Sequence, residues 1–108
     1  MLFSKDAILA GTRLEGITMI QSNIMASDAW LFRAIIRIFE NQTRDEQYGA
    51  VTKHQNGIGF NGCDARFMTL VANELLKNPN GESLRTYEIT SARRRIVKYA
   101  SQLYDCIQ

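Results

Sequence analysis

The stretch 30–39 constrains this fold more than any other. Trp30, Leu31, Phe32, Ala34, Ile35, Ile36, Ile38 and Phe39 are apolar, and Arg33, Arg37 and the following Glu40 form only a narrow polar stripe. Wound into a helix, that set covers well over half the circumference, so other elements must surround it. Ser27 and Asp28 mark the entry. A serine hydroxyl accepts a bond from a first-turn amide, and the positive end of the macrodipole favours a carboxylate. A central helix is therefore predicted from Asp28 to about Asn41.

With 108 residues in all, the chain is expected to be one domain, 1–108, with a modest single core. Its composition is near the globular average and shows neither a low-complexity tract nor an internal repeat, which argues against a disordered chain. We divide it into an N-terminal arm, 1–24, and a helical core, 25–108. In the arm, Leu2, Phe3, Ile8 and Leu9 suit a short helix after Ser4. Gly11 and Gly16 then interrupt, and Leu14, Ile17, Met19 and Ile20 read better as extended segments or a β-hairpin.

Beyond the central helix, Thr43 and Glu46 stand in the Thr-x-x-Glu order of a capping box, predicting a second helix to about Lys53. Asp45 and Glu46 are also adjacent carboxylates, but neighbours on a helix diverge by about 100° and make a poor acid–base pair. A third helix fits 65–77, where Phe67, Leu70, Val71 and Leu75 keep helical spacing. Asn78, Pro79, Asn80 and Gly81 are a stop-and-turn signal. Thr90 is read as the cap of the last helix, whose apolar face is Ile96, Val97, Ala100, Leu103, Tyr104 and Ile107. The expected fold is thus mainly α: a four-helix domain with an extended or β-hairpin arm.

Net charge is only +2, so a nucleic-acid argument rests on where the basic residues lie. Arg93, Arg94, Arg95 and Lys98 fall in the first two turns of the expected last helix, where the macrodipole disfavours cations by roughly 0.3–1 kcal/mol each. Either they serve a partner, or Glu88, Asp45 and Glu46 neutralise them. Cys63 and Cys106 are far apart, and with His54 they are too few to ligate zinc. They read as free thiols of a reducing compartment, with a single disulfide between them as the lesser alternative, and no metal or cofactor is expected. With neither a leader pattern nor a spanning apolar run, the protein is expected in the cytosol, away from membranes.

Residues 56–66 read most like a site. Gly57, Gly59 and Gly62 match Gly-x-Gly-x-x-Gly ahead of a helix, a pattern that elsewhere cradles a pyrophosphate. Its context fails, because residues 52–55 are no buried strand and the chain has no room for a doubly wound sheet. Two readings stay open. Amides at the helix start, with Asn61, Lys53 and Arg66, hold a phosphate; or Phe60 plugs the core while Asn61 and Asp64 cap the next helix.

Three stretches carry a resemblance: Gln42-Thr43-Arg44-Asp45-Glu46-Gln47, residues 56–65, and Arg95-Ile96-Val97-Lys98-Tyr99-Ala100-Ser101-Gln102-Leu103. Together they resemble a small module of phages and other mobile elements, found alone and appended to helicase-like proteins. The resemblance spans about 35–105. At the last helix this chain has Ile89-Thr90-Ser91 where the module has a Leu-Thr/Ser-Pro-like entry. The resemblance implies a nucleic-acid-associated accessory domain and carries over no catalytic residue. The expected function is non-enzymatic contact with DNA or RNA backbone, with Arg93, Arg94, Lys98, Lys53 and Arg66 supplying charge and the turn around Gly57, Gly59, Asn61 and Gly62 supplying amides. The alternative is an anti-CRISPR-like inhibitor that binds a host defence protein.

Overall fold

A computed structural model describes residues 2–48 and 59–107, with side chains through Gln42 and again from Gly59. The chain is mainly α. Helices α1 (Lys5–Ala10), α2 (Arg13–Ala26), α3 (Asp28–Tyr48), α4 (Ala65–Lys77) and α5 (Thr86–Ile96) are followed by a 3-10 turn, Val97–Tyr99, and by α6 (Ala100–Ile107). Helix α3 is the axis, as its apolar pattern requires. Its Leu31, Ile35 and Ile38 are fully buried and meet Ile20 and Ile24 of α2, Met68 and Leu75 of α4, and Ile96 of α5. Burial of each such side chain is worth about 1.5–3 kcal/mol before the entropy of ordering is counted.

The N-terminal arm is helical, a correction to the extended reading. Ser4 accepts from the Ala7 amide at 3.1 Å and opens α1. Thr12 and Glu15 form a reciprocal capping box that opens α2. Gly16 acts here through size rather than as a breaker. It lies buried within α2, where a Cβ would stand 2.3 Å from the Tyr104 ring and 2.6 Å from the Ile8 carbonyl oxygen. Asn23, fully buried, holds both backbone groups of Phe3, accepting at 2.8 Å and donating at 2.9 Å. That pair anchors the chain start to α2.

Two more boundaries differ. Helix α3 continues through Thr43 to Tyr48, so Thr43 does not head a new helix. A capping residue needs non-helical backbone, and no glycine or proline interrupts α3 there. The remainder of that expected helix falls outside the described residues. Helix α5 begins at Thr86, one turn before Thr90, with the Arg85 amide donating to Glu88 Oε1 at 2.8 Å. Arg93, Arg94 and Arg95 consequently occupy its last turn, where the macrodipole favours cations. The inferred electrostatic penalty is absent. Helix α4 ends as expected, and Gly81 is required in the turn after it on two counts: its φ is +74, and a Cβ there would stand 2.4 Å from the Phe32 ring.

Candidate functional site

Asp64 is the hub around which the motif residues gather. It precedes α4, and its side chain is 2 % exposed. Lys98 Nζ lies 2.8 Å from Oδ2, the Tyr99 hydroxyl donates to Oδ2 at 2.7 Å, and Arg95 Nη1 donates to Oδ1 at 2.9 Å. Burial pushes the carboxyl's pKa up, but the bonds from Lys98, Tyr99 and Arg95 outweigh it and hold the group below its ordinary 3.8. Burial is also the main reason that the Tyr99 hydroxyl is shifted well above its ordinary 10, with the Asp64 charge adding to it. Both groups therefore keep one protonation state near neutrality, anionic for Asp64 and neutral for Tyr99.

The same residues close the turn that precedes α4. The Tyr99 oxygen accepts from the Asn61 amide at 2.9 Å, and the Phe60 and Tyr99 rings meet edge to face at 5.6 Å. Gln102 accepts from the Gly59 amide at 2.8 Å and donates back to its carbonyl at 3.3 Å. Gln42 of α3 accepts from the Phe60 amide at 3.1 Å. Gly59, at φ +79, is buried against Gln42, and a Cβ would stand 2.6 Å from that side chain's own Cβ. Helical spacing puts Ser91, Arg95, Lys98, Tyr99 and Gln102 along one side of the α5–α6 unit. Gln42, the turn and this unit, far apart in sequence, thereby form one hydrogen-bonded joint.

That joint decides what the expected site residues do. The amides of Gly59, Phe60, Asn61 and Asp64 are all bonded within the protein, so these four are not offered to a phosphate. Asn61 performs the capping, its Oδ1 accepting from the Asp64 amide at 3.0 Å. Asp64 makes no side-chain cap and serves as counter-ion instead. Arg93 donates to the Ile24 carbonyl at 3.0 Å and pairs with Asp28, joining the end of α2 to the start of α3. Arg95 also donates to Ser91 and lies 4.9 Å over the Phe67 ring. Three of the four clustered cations thus have carboxylate partners, though Asp28 and Asp64 rather than Glu88. Arg94, Gly62 and Arg66 are exposed. Lys53 and Gly57 lie outside the described residues, as do the side chains of Asp45 and Glu46.

Asp64, Tyr99, Gln102 and Gln42 were missed as an interacting set. All four fall within Gln42–Gln47, residues 56–65 and Arg95–Leu103. Cys63 and Cys106 are free thiols. Among the described residues no group of His, Cys, Asp and Glu side chains is arranged to hold a metal ion, and no helix is long and apolar enough to cross a membrane. No known protein family, curated protein or solved structure matches the chain.

An accessible line runs along the outer side of α5 and the 3-10 turn after it. Tyr87 is 66 % exposed, Arg94 is exposed, and Lys98 is half-exposed even while bonded to Asp64. These residues recur at helical spacing opposite the buried Ala92, Ile96 and Tyr99.

Proposed function

We propose that this is a non-enzymatic accessory protein of a phage or mobile element that contacts DNA or RNA backbone in the host cytoplasm. The observation that carries the reading is the exposed line of Tyr87 and Arg94 on α5 and Lys98 in the 3-10 turn that follows it. Arg94 and Lys98 stand four residues apart, about 6 Å along the helical axis; Arg94 is exposed, and Lys98 stays half-exposed while its amine is bonded to Asp64. Arginine and lysine supply the sequence-independent phosphate contacts, and an exposed tyrosine offers a ring on which a base stacks. Resemblance to a module appended to helicase-like proteins supports the same reading. The joint around Asp64 orients α5 and holds Lys98 in place. An electrophoretic shift at several salt concentrations tests it: binding weakens steeply with salt, and Arg94→Ala lowers the slope by about 1. Absence of retardation at low salt sinks the proposal.

One observation favours the alternative, an anti-CRISPR-like inhibitor that acts by protein–protein binding. Leu14, Thr18, Ser22 and Met25 form an exposed, uncharged stripe along α2, with Leu14 at 74 % and Met25 at 60 % exposure. Such a stripe suits a helix-sized apolar contact. A pull-down from host lysate with and without nuclease separates the two readings. A stoichiometric protein partner that survives nuclease supports inhibition, and loss of every partner supports nucleic acid.

A further inference from the structure

The joint around Asp64 and the outer line of α5 leave a cleft between α1, α3 and α6 unused. It encloses about 370 Å³, and its lining includes Trp30, Leu103 and Ile107 together with the exposed cations Lys5, Arg33 and Arg37. That size lies within the range of small-molecule sites. Elsewhere Arg13, Lys77, Arg93, Arg95 and Lys98 are paired with carboxylates, whereas among the described residues Arg66, Arg85 and Arg94 stand singly on the surface. Among the described residues Lys5, Arg33 and Arg37 form no such ion pair, and no carboxylate lines the cleft. Arg37 is held chiefly by the Cys106 side chain beside it, with a smaller field from Glu40 on the following turn of α3. Three cations thus border an apolar cleft that holds no carboxylate, and an anion placed there would meet complementary charge. The Arg33 guanidinium stands 6.0 Å from the Trp30 ring centroid, so one wall is built of flat groups.

We propose that this cleft binds a planar organic anion, with its aromatic ring against Trp30, Leu103 and Ile107 and its carboxylate or phosphate held by Lys5, Arg33 and Arg37. Apolar lining recognises the ring, and the guanidinium forks recognise the anionic end. A free aryl carboxylate and a nucleoside monophosphate share this chemistry. The inference is independent of the α5 face, since none of its residues lies there.

The chain has a single tryptophan, so intrinsic tryptophan fluorescence reports on this cleft directly. The full-length chain is titrated with naphthoate and with adenosine monophosphate, and in parallel with their uncharged counterparts, naphthyl methanol and adenosine. The expected result is a saturable change with at least one anion, at an affinity about tenfold above that of its uncharged counterpart. The anion that binds names the ligand source. Cys106 also lines the cleft whereas Cys63 is exposed elsewhere, so the bound anion slows alkylation of Cys106 and leaves Cys63 unchanged. Arg33→Ala/Arg37→Ala weakens binding by about tenfold or more. Should that variant not fold, Lys5→Ala on the exposed side of α1 replaces it, again with weakened binding expected. No saturable change with either anion, equal affinity for the uncharged counterpart, or unchanged affinity in the folded variant overturns the proposal.

Discussion

Replacing Tyr99 by phenylalanine isolates the link between the turn and Asp64. The substitution keeps the ring that meets Phe60 edge to face and removes only the oxygen, which accepts from the Asn61 amide at 2.9 Å and donates to Asp64 at 2.7 Å. A hydrogen bond to a charged acceptor contributes about 1.5–3 kcal/mol, and a neutral one about 0.5–1.5 kcal/mol. Two effects reduce the sum. Asn61 is exposed, so water replaces its lost acceptor, and Asp64 keeps Arg95 and Lys98. The expected loss is about 2 kcal/mol. Urea unfolding measures it as a fall in midpoint at unchanged slope. In a double-mutant cycle with Asp64→Asn, the coupling between the two positions is expected to be about 1 kcal/mol. A loss under about 0.5 kcal/mol, or additivity within error, refutes the claim that Tyr99 ties the turn to the buried carboxylate.

Asp64 also gives the protein an acid-sensitive component. Its folded-state pKa is depressed, so its stabilisation is fully present above the unfolded value and is lost as pH falls through the folded one. Urea midpoints of the parent should therefore drop below the ordinary carboxylate range, and Asp64→Asn should flatten that part of the profile. Gly16→Ala forces a Cβ against Tyr104 and the Ile8 carbonyl and is expected to destabilise by about 1–3 kcal/mol, read by thermal melting. An unchanged melt means that α1, α2 and α6 do not pack as described. Arg93 and Arg94 should separate folding from binding. Arg93→Ala loses the contacts to Ile24 and Asp28 and lowers stability by about 1–2 kcal/mol, whereas Arg94→Ala leaves the melt unchanged and lowers the salt dependence of nucleic-acid binding. Equal effects of the two on both measurements would contradict this division.

Local chemistry carries the sequence reading furthest where one helix settles its own periodicity. The apolar set from Trp30 to Phe39 specified a buried axis, the α4 pattern specified its span, and Asn78 to Gly81 specified its stop. The helix start after Ser4 was legible, whereas those at Thr12 and Arg85 were harder to read. Their capping partners Glu15 and Glu88 are visible in the sequence, but the glycines of the arm and Thr90 offered competing signals. Gly16 shows the difficulty: its role is set by Tyr104, a residue of the other end of the chain.

By itself the sequence determined a mainly α chain organised on α3, together with the stretches that matter most. Only tertiary structure decided what those stretches do. Hydrogen bonds and ion pairs depend on angstrom-scale distances between α3, the turn before α4 and the α5–α6 unit, and spacing along one chain does not encode those distances. Thus four amides of the glycine-rich stretch that reads as a phosphate cradle, those of Gly59, Phe60, Asn61 and Asp64, are bonded to Gln102, Gln42, Tyr99 and Asn61. The basic cluster, which reads as one surface, is divided into Arg93 and Arg95 that hold the fold, Arg94 that faces outward, and Lys98 that does both.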